Sequence, residues 1–137
     1  ILLLGLRTAG TYFVALLRAF LKAEGYQRVS SLTVQVNKGL GRRERRELRG
    51  YAERDYACMI VDEPPSTGET LVLAFELACA AGIDLGKVVV LFPVHAAGQY
   101  RLKHLSDRAI VTLEPEQWRK RQLLHPRNVE RRLMEYF

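Results

Sequence analysis

Cysteine is scarce in this chain: there are two in 137 residues, Cys58 and Cys79. Both sit among apolar neighbours, as buried free thiols do. No Cys/His spacing offers a zinc site. This usage fits a reducing compartment, the cytoplasm. Long apolar runs are also missing. The longest are strand-sized, which excludes a helical membrane span. Ile1-Leu2-Leu3-Leu4 has no basic segment before it and no cleavage-like site after it. It reads as a buried first strand rather than a secretion signal. The sequence opens on that strand without an initiating Met, which points to excision from a longer protein. Repeats and low-complexity linkers are absent. The glycines at 5 and 10 lack the three-glycine spacing of a dinucleotide site.

What is present is a globular composition, with 48% hydrophobic residues and length enough for one domain with its own core. The net charge is +6, and it is concentrated. Residues 37–54 carry seven basic side chains against three acids, and residues 116–137 carry six against three. Such stretches either hold polyanions or form solvated helix faces.

Periodicity orders the chain into alternating strands and helices. Residues 1–4 form an apolar strand, and 5–10 a turn with two glycines. Residues 11–23 show the helical spacing Phe13, Leu16, Leu17, Phe20, Leu21. Gly25 stands where a helix ends. Residues 29–36 alternate and are rich in Val, Ser and Thr, as strands are. A glycine-containing loop follows at 37–41. Residues 42–54 are dense in Arg and Glu and read either as a short exposed helix or as a mobile segment. Residues 56–61 form a central strand, 69–81 an apolar helix closed by Gly82, and 87–92 a buried strand of parallel type. Pro93 stops that strand. Residues 108–113 read as the last strand, and 117–124 and 127–137 as helices. The alternation predicts an α/β fold, with a mainly parallel sheet covered by helices on both faces. In such folds ligands bind beyond the C-terminal strand ends, where the strand order reverses. Both the 5–10 and the 62–70 turns follow strand C-termini. If those strands are neighbours, the two turns share one crevice.

The most informative stretch is 58–71. An apolar strand ends in Asp62-Glu63, a Pro64-Pro65-Ser66-Thr67-Gly68 turn follows, and Glu69-Thr70-Leu71 opens a helix. Backbone amides and hydroxyls at a helix N-terminus suit an anion. The paired carboxylates stand where sugar hydroxyls could donate to them. No Gly-Lys-Ser/Thr follows, so this is not a Walker loop.

This pattern resembles the phosphoribosyl pyrophosphate (PRPP) motif of the type I phosphoribosyltransferases: hydrophobic strand, two acids, two variable residues, Ser/Thr-Thr-Gly, any residue, Thr. The resemblance implies that family's three-layer core. It also implies a glycosyltransferase activity, in which a nitrogenous base displaces pyrophosphate from PRPP, with Mg²⁺ as cofactor. On that reading Asp62 and Glu63 hold the ribose hydroxyls beside a cationic sugar, no side chain is assigned as a direct metal ligand, and the two acids are candidates for contact with the metal through water. Ser66, Thr67, Gly68, Glu69 and Thr70 hold the 5′-phosphate. Arg7, Thr8, Ala9 and Gly10 stand in the place of the pyrophosphate loop. Residues 37–43 take the place of the loop that closes over substrate, with Lys38 its leading catalytic candidate. Ser66 stands where members acting on 6-oxopurines carry an acid, so the resemblance points away from hypoxanthine and guanine. His95, at the same edge, is a candidate for contact with the base. The implied partners are PRPP, a small base, other domains of a longer polypeptide and a second copy in a homodimer, but no membrane. The basic stretches leave room for a different role, a non-catalytic PRPP- or nucleotide-sensing module associated with nucleic acid.

Overall fold

A computed structural model describes residues 1–7, 9–63, 68–92, 110–112, 130, 133 and 134. Five strands, β1 (Leu2–Leu6), β2 (Ser30–Val34), β3 (Cys58–Val61), β4 (Val88–Phe92) and β5 (Ile110–Thr112), form one sheet in the order β2-β1-β3-β4-β5. Every pairing is parallel. Helix α1 (Ala9–Ala23) joins β1 to β2, α2 (Arg42–Glu53) joins β2 to β3, and α3 (Glu69–Ala80) joins β3 towards β4. The α/β expectation is met. The chain moves outward from β1 to β2, then crosses back to β3. The strand order therefore reverses between β1 and β3.

The apolar runs explain the layers. The side chains of Leu2, Leu3, Leu4 and Leu6 are all at most 1% exposed, so β1 is covered on both faces and needs no polar alternation. Leu2, Leu4 and Leu6 belong to one core with Leu48 of α2 and with Leu71, Ala74 and Ala78 of α3. Leu3 and Val61 face the other way, onto Val14, Phe13 and Leu17 of α1. Helices thus lie on both faces, two on the first and one on the second. Right-handed crossovers demand this, because the β1-to-β2 and β2-to-β3 connections travel in opposite directions. The outer side of α1 keeps Tyr12, Leu16 and Phe20 exposed at i, i+4, i+8.

Several boundaries differ from the sequence expectation. Gly5 and Leu6 continue β1 rather than opening a turn, and α1 starts at Ala9. Residues 42–53 form a true helix rather than a mobile segment, anchored by the fully buried Leu48. Arg42 and Arg43 consequently sit in its first turn and not in the preceding loop. That loop is itself partly built: Val36–Lys38 form a 3₁₀ turn, and Leu40 is 6% exposed. Glu47, which has no basic residue ahead of it to pair with, pairs backwards with Arg43 at 2.8 Å. The expected helix at 117–124 lies outside the described residues, as does most of that at 127–137.

The N-terminal edge of the sheet is tied independently. Lys87 reaches Asp55 at 2.5 Å, and Arg28 donates to the Arg54 carbonyl at 3.2 Å. Arg28 also lies 4.9 Å over the Tyr56 ring.

Candidate functional site

The pairing of β1 with β3 places Gly5 beside Val61, one residue before Asp62. The ends of β1 and β3, from which the two segments singled out by sequence depart, therefore lie side by side at one edge. Sterics make this corner unusually close. A Cβ on Gly5 would stand 2.7 Å from the Gly10 carbonyl oxygen and 2.8 Å from Val14 Cγ2. A Cβ on Gly10 would run into the Val61 carbonyl. Only two glycines allow the start of α1 to press against the ends of β1 and β3.

Asp62 and Glu63 are not equivalent. Asp62 is half-buried and Glu63 exposed. Burial is the main influence on Asp62 and pushes its acid up from 3.8 to about 6, and the neighbouring Glu63 charge adds to this. Hydrogen bonds from the Glu63 and Gly10 amides pull the other way. The Asp62 amide donates to the Leu91 carbonyl at 3.3 Å, which fixes the chain as it leaves β3. Asp62 is thus a carboxylate held against the N-terminal turn of α1, and Glu63 a carboxylate facing water.

The first loop offers fewer donors than its sequence promises. The Arg7 amide donates to the Val34 carbonyl at 3.0 Å, and the Gly10 amide to Asp62. The exposed Arg7 side chain remains for an anion. Thr8 lies outside the described residues, as do Pro64, Pro65, Ser66, Thr67 and His95. Of the proposed phosphate turn, Gly68, Glu69 and Thr70 are described. Gly68 caps α3 at φ +83°, a left-handed conformation that strongly favours glycine. Its carbonyl accepts the Val72 amide at 3.0 Å, the first bond of the helix. Helix geometry leaves the amides of that first turn directed beyond the N-terminus, beside β3's end.

Lys38 is exposed at the end of the 3₁₀ turn that follows β2. Because β2 runs parallel to β1, this places Lys38 at the same edge as Asp62, one strand beyond β1. Gly39 follows with φ +71° and nothing within 4 Å of its would-be Cβ.

Comparison of the chain with protein-family models, with curated proteins and with solved structures returns no match. The site must therefore be judged on its own geometry. Sequence reasoning missed the part played by Gly5, which the five-residue spacing of glycines around a strand end could have signalled. It also treated Asp62 and Glu63 as a matched pair, whereas consecutive residues leaving a strand point to opposite sides. Among the described residues no helix is long and apolar enough to cross a membrane.

Proposed function

We propose that the chain is a phosphoribosyltransferase-type domain. In this reading it binds PRPP with Mg²⁺ and transfers phosphoribose to or from a nitrogenous base, with exchange of pyrophosphate. The observation that carries the reading is the β1–β3 pairing, which sets the Arg7–Gly10 corner next to the Asp62–Glu63 pair at the reversal of strand order. Gly68 in its left-handed cap, with the α3 N-terminus behind it, supports a 5′-phosphate seat on the other side of the acids. Arg7 is the cation nearest the place of the pyrophosphate in this scheme. Asp62 and Glu63 accept from ribose hydroxyls and stabilise the positive sugar as the bond to pyrophosphate breaks. Lys38 approaches from β2's end to neutralise the leaving group.

Among the described residues no three His, Cys, Asp or Glu side chains converge as a metal cage would. The two carboxylates fit instead an ion that arrives on the pyrophosphate and keeps most of its water ligands. When bound, Mg²⁺ supplies charge neutralisation to the leaving pyrophosphate.

Calorimetric titration with PRPP, with and without Mg²⁺, tests this reading. Pyrophosphate release over a panel of bases then tests turnover. Asp62→Asn with Glu63→Gln should weaken Mg²⁺-dependent PRPP binding by at least about tenfold. Unchanged binding would refute the site. One observation favours a second reading: the Gly10 amide already holds Asp62. A carboxylate engaged in this way suits a PRPP- or nucleotide-sensing module that binds without turnover. PRPP binding with no pyrophosphate release for any base would select it.

A further inference from the structure

Helix α2 carries a surface that the proposed site does not use. Arg42, Arg45, Arg46 and Arg49 recur at i, i+3, i+4 and i+7, which sets four guanidinium groups on one stripe of the helix. All four residues are exposed. The first two acids of the helix are committed elsewhere: Glu44 accepts the Gly41 amide at 2.7 Å, and Glu47 takes Arg43 at 2.8 Å. No ion pair reaches the four stripe arginines among the described residues. Arg42 with Arg46, and Arg45 with Arg49, are like-charge pairs at i, i+4, each unfavourable for an isolated helix.

The stripe borders an apolar groove. Arg45 and Arg49 form one wall of a cleft of about 230 Å³, and its other lining is Leu40, Leu77, Ala80 and Ala81. Arg45 Nε donates to the Leu40 carbonyl at 2.9 Å, which roots the wall in the loop before α2. The cation row and the apolar cleft are therefore one surface, sharing two residues.

We propose that this surface docks an acidic amphipathic helix from a partner protein, with carboxylates along the arginine stripe and an apolar side chain in the cleft. Charge complementarity and the apolar lining together select this occupant. A phosphodiester backbone would satisfy the guanidinium groups but leave the cleft over Leu77, Ala80 and Ala81 unfilled. An apolar partner would fill the cleft but leave the stripe unmatched. An amphipathic helix with acids at i, i+3 and i+4 uses both, in the helix-in-groove mode.

The test is fluorescence anisotropy on the whole chain with three labelled probes. These are a designed helical peptide with Glu and Leu on one face, a scrambled peptide of the same composition, and a twelve-nucleotide single-stranded RNA. The designed peptide should bind more tightly than either of the others. Arg45→Glu with Arg49→Glu should weaken it at least about tenfold, mainly by loss of charge complementarity. Ala80→Trp, which blocks the cleft without changing charge, should weaken it too. Arg45→Lys with Arg49→Lys should keep the charge-driven part. Circular dichroism and PRPP binding, measured on the same variants, should be unchanged, which separates failure here from failure of the phosphoribosyl reading. Equal binding of the scrambled peptide, tighter binding of RNA, indifference to the variants, or no binding at millimolar peptide would each overturn the proposal.

Discussion

Replacing Asp62 by Asn should change how stability depends on pH. Burial holds the Asp62 acid at about 6 in the folded chain against an ordinary 3.8. Between about pH 4 and pH 6 the folded state therefore keeps a proton that the unfolded chain has released. Linkage then makes the unfolding free energy fall as pH rises through that window. The contribution of this group is most favourable below about pH 4 and is fully lost above about pH 6. A displacement of about two pH units corresponds to about 3 kcal/mol. Asp62 is only half-buried, so solvent screening reduces this to about 1 kcal/mol. Asn cannot titrate. Urea denaturation at pH 4 and pH 7.5 should therefore show the variant gaining about 1 kcal/mol relative to the parent as pH rises. Thermal scans should shift by about 4 °C in the same sense. A difference between variant and parent that is independent of pH, or that moves the other way, would refute the reasoning. The same charge, unfavourable to the empty fold, is the one the sugar hydroxyls would need. PRPP affinity should accordingly rise as pH passes through about 6, while stability falls.

Three further outcomes follow from the packing. Gly10→Ala, whose new methyl meets the Val61 carbonyl, should destabilise the chain by about 1–3 kcal/mol in urea titrations and weaken PRPP binding; a neutral effect would contradict the close corner. Leu48→Ala removes the one buried residue of α2 and should cost about 2–5 kcal/mol; calorimetry showing less than half a kcal/mol would mean that α2 is not anchored to the sheet. Burial pushes the Cys58 thiol up to about 12, and Cys79 is also raised but less enclosed. An aromatic disulfide reagent at pH 8 should therefore modify Cys79 in the folded protein and reach Cys58 only as it unfolds, which peptide mapping can resolve.

The elements most legible in sequence were those whose burial is two-sided. The runs at 1–4, 56–61 and 87–92 carry so little polarity that only a covered parallel sheet accommodates them, and β1, β3 and β4 stand there. The adjacency of the strand ends stayed conditional in sequence, because nothing local sets strand order, and the pairing of β1 with β3 supplies it. Helix α2 was harder. It buries Leu48 and half-buries Tyr51 and Ala52 in a sequence dominated by Arg and Glu, so its apolar period is too thin to separate a helix from a loop. That Asp62 and Glu63 point to opposite sides was readable from the strand's alternation, but which of them is buried depends on where the α1 N-terminus lands, three-dimensional information that the strand's own residues do not carry.

The contact between Gly5 and Gly10 has a further consequence for how this corner can vary. Each position excludes a side chain through a different neighbour: Gly5 through Gly10 and Val14, and Gly10 through the end of β3. No single substitution enlarges one without levering the first helix away from the sheet, and a compensating change elsewhere would have to shorten a backbone carbonyl, which no residue can do. Variation at this junction is therefore confined to what lies between the two glycines. A displacement of Gly10 is felt at once at the carboxylate next door, which accepts its amide.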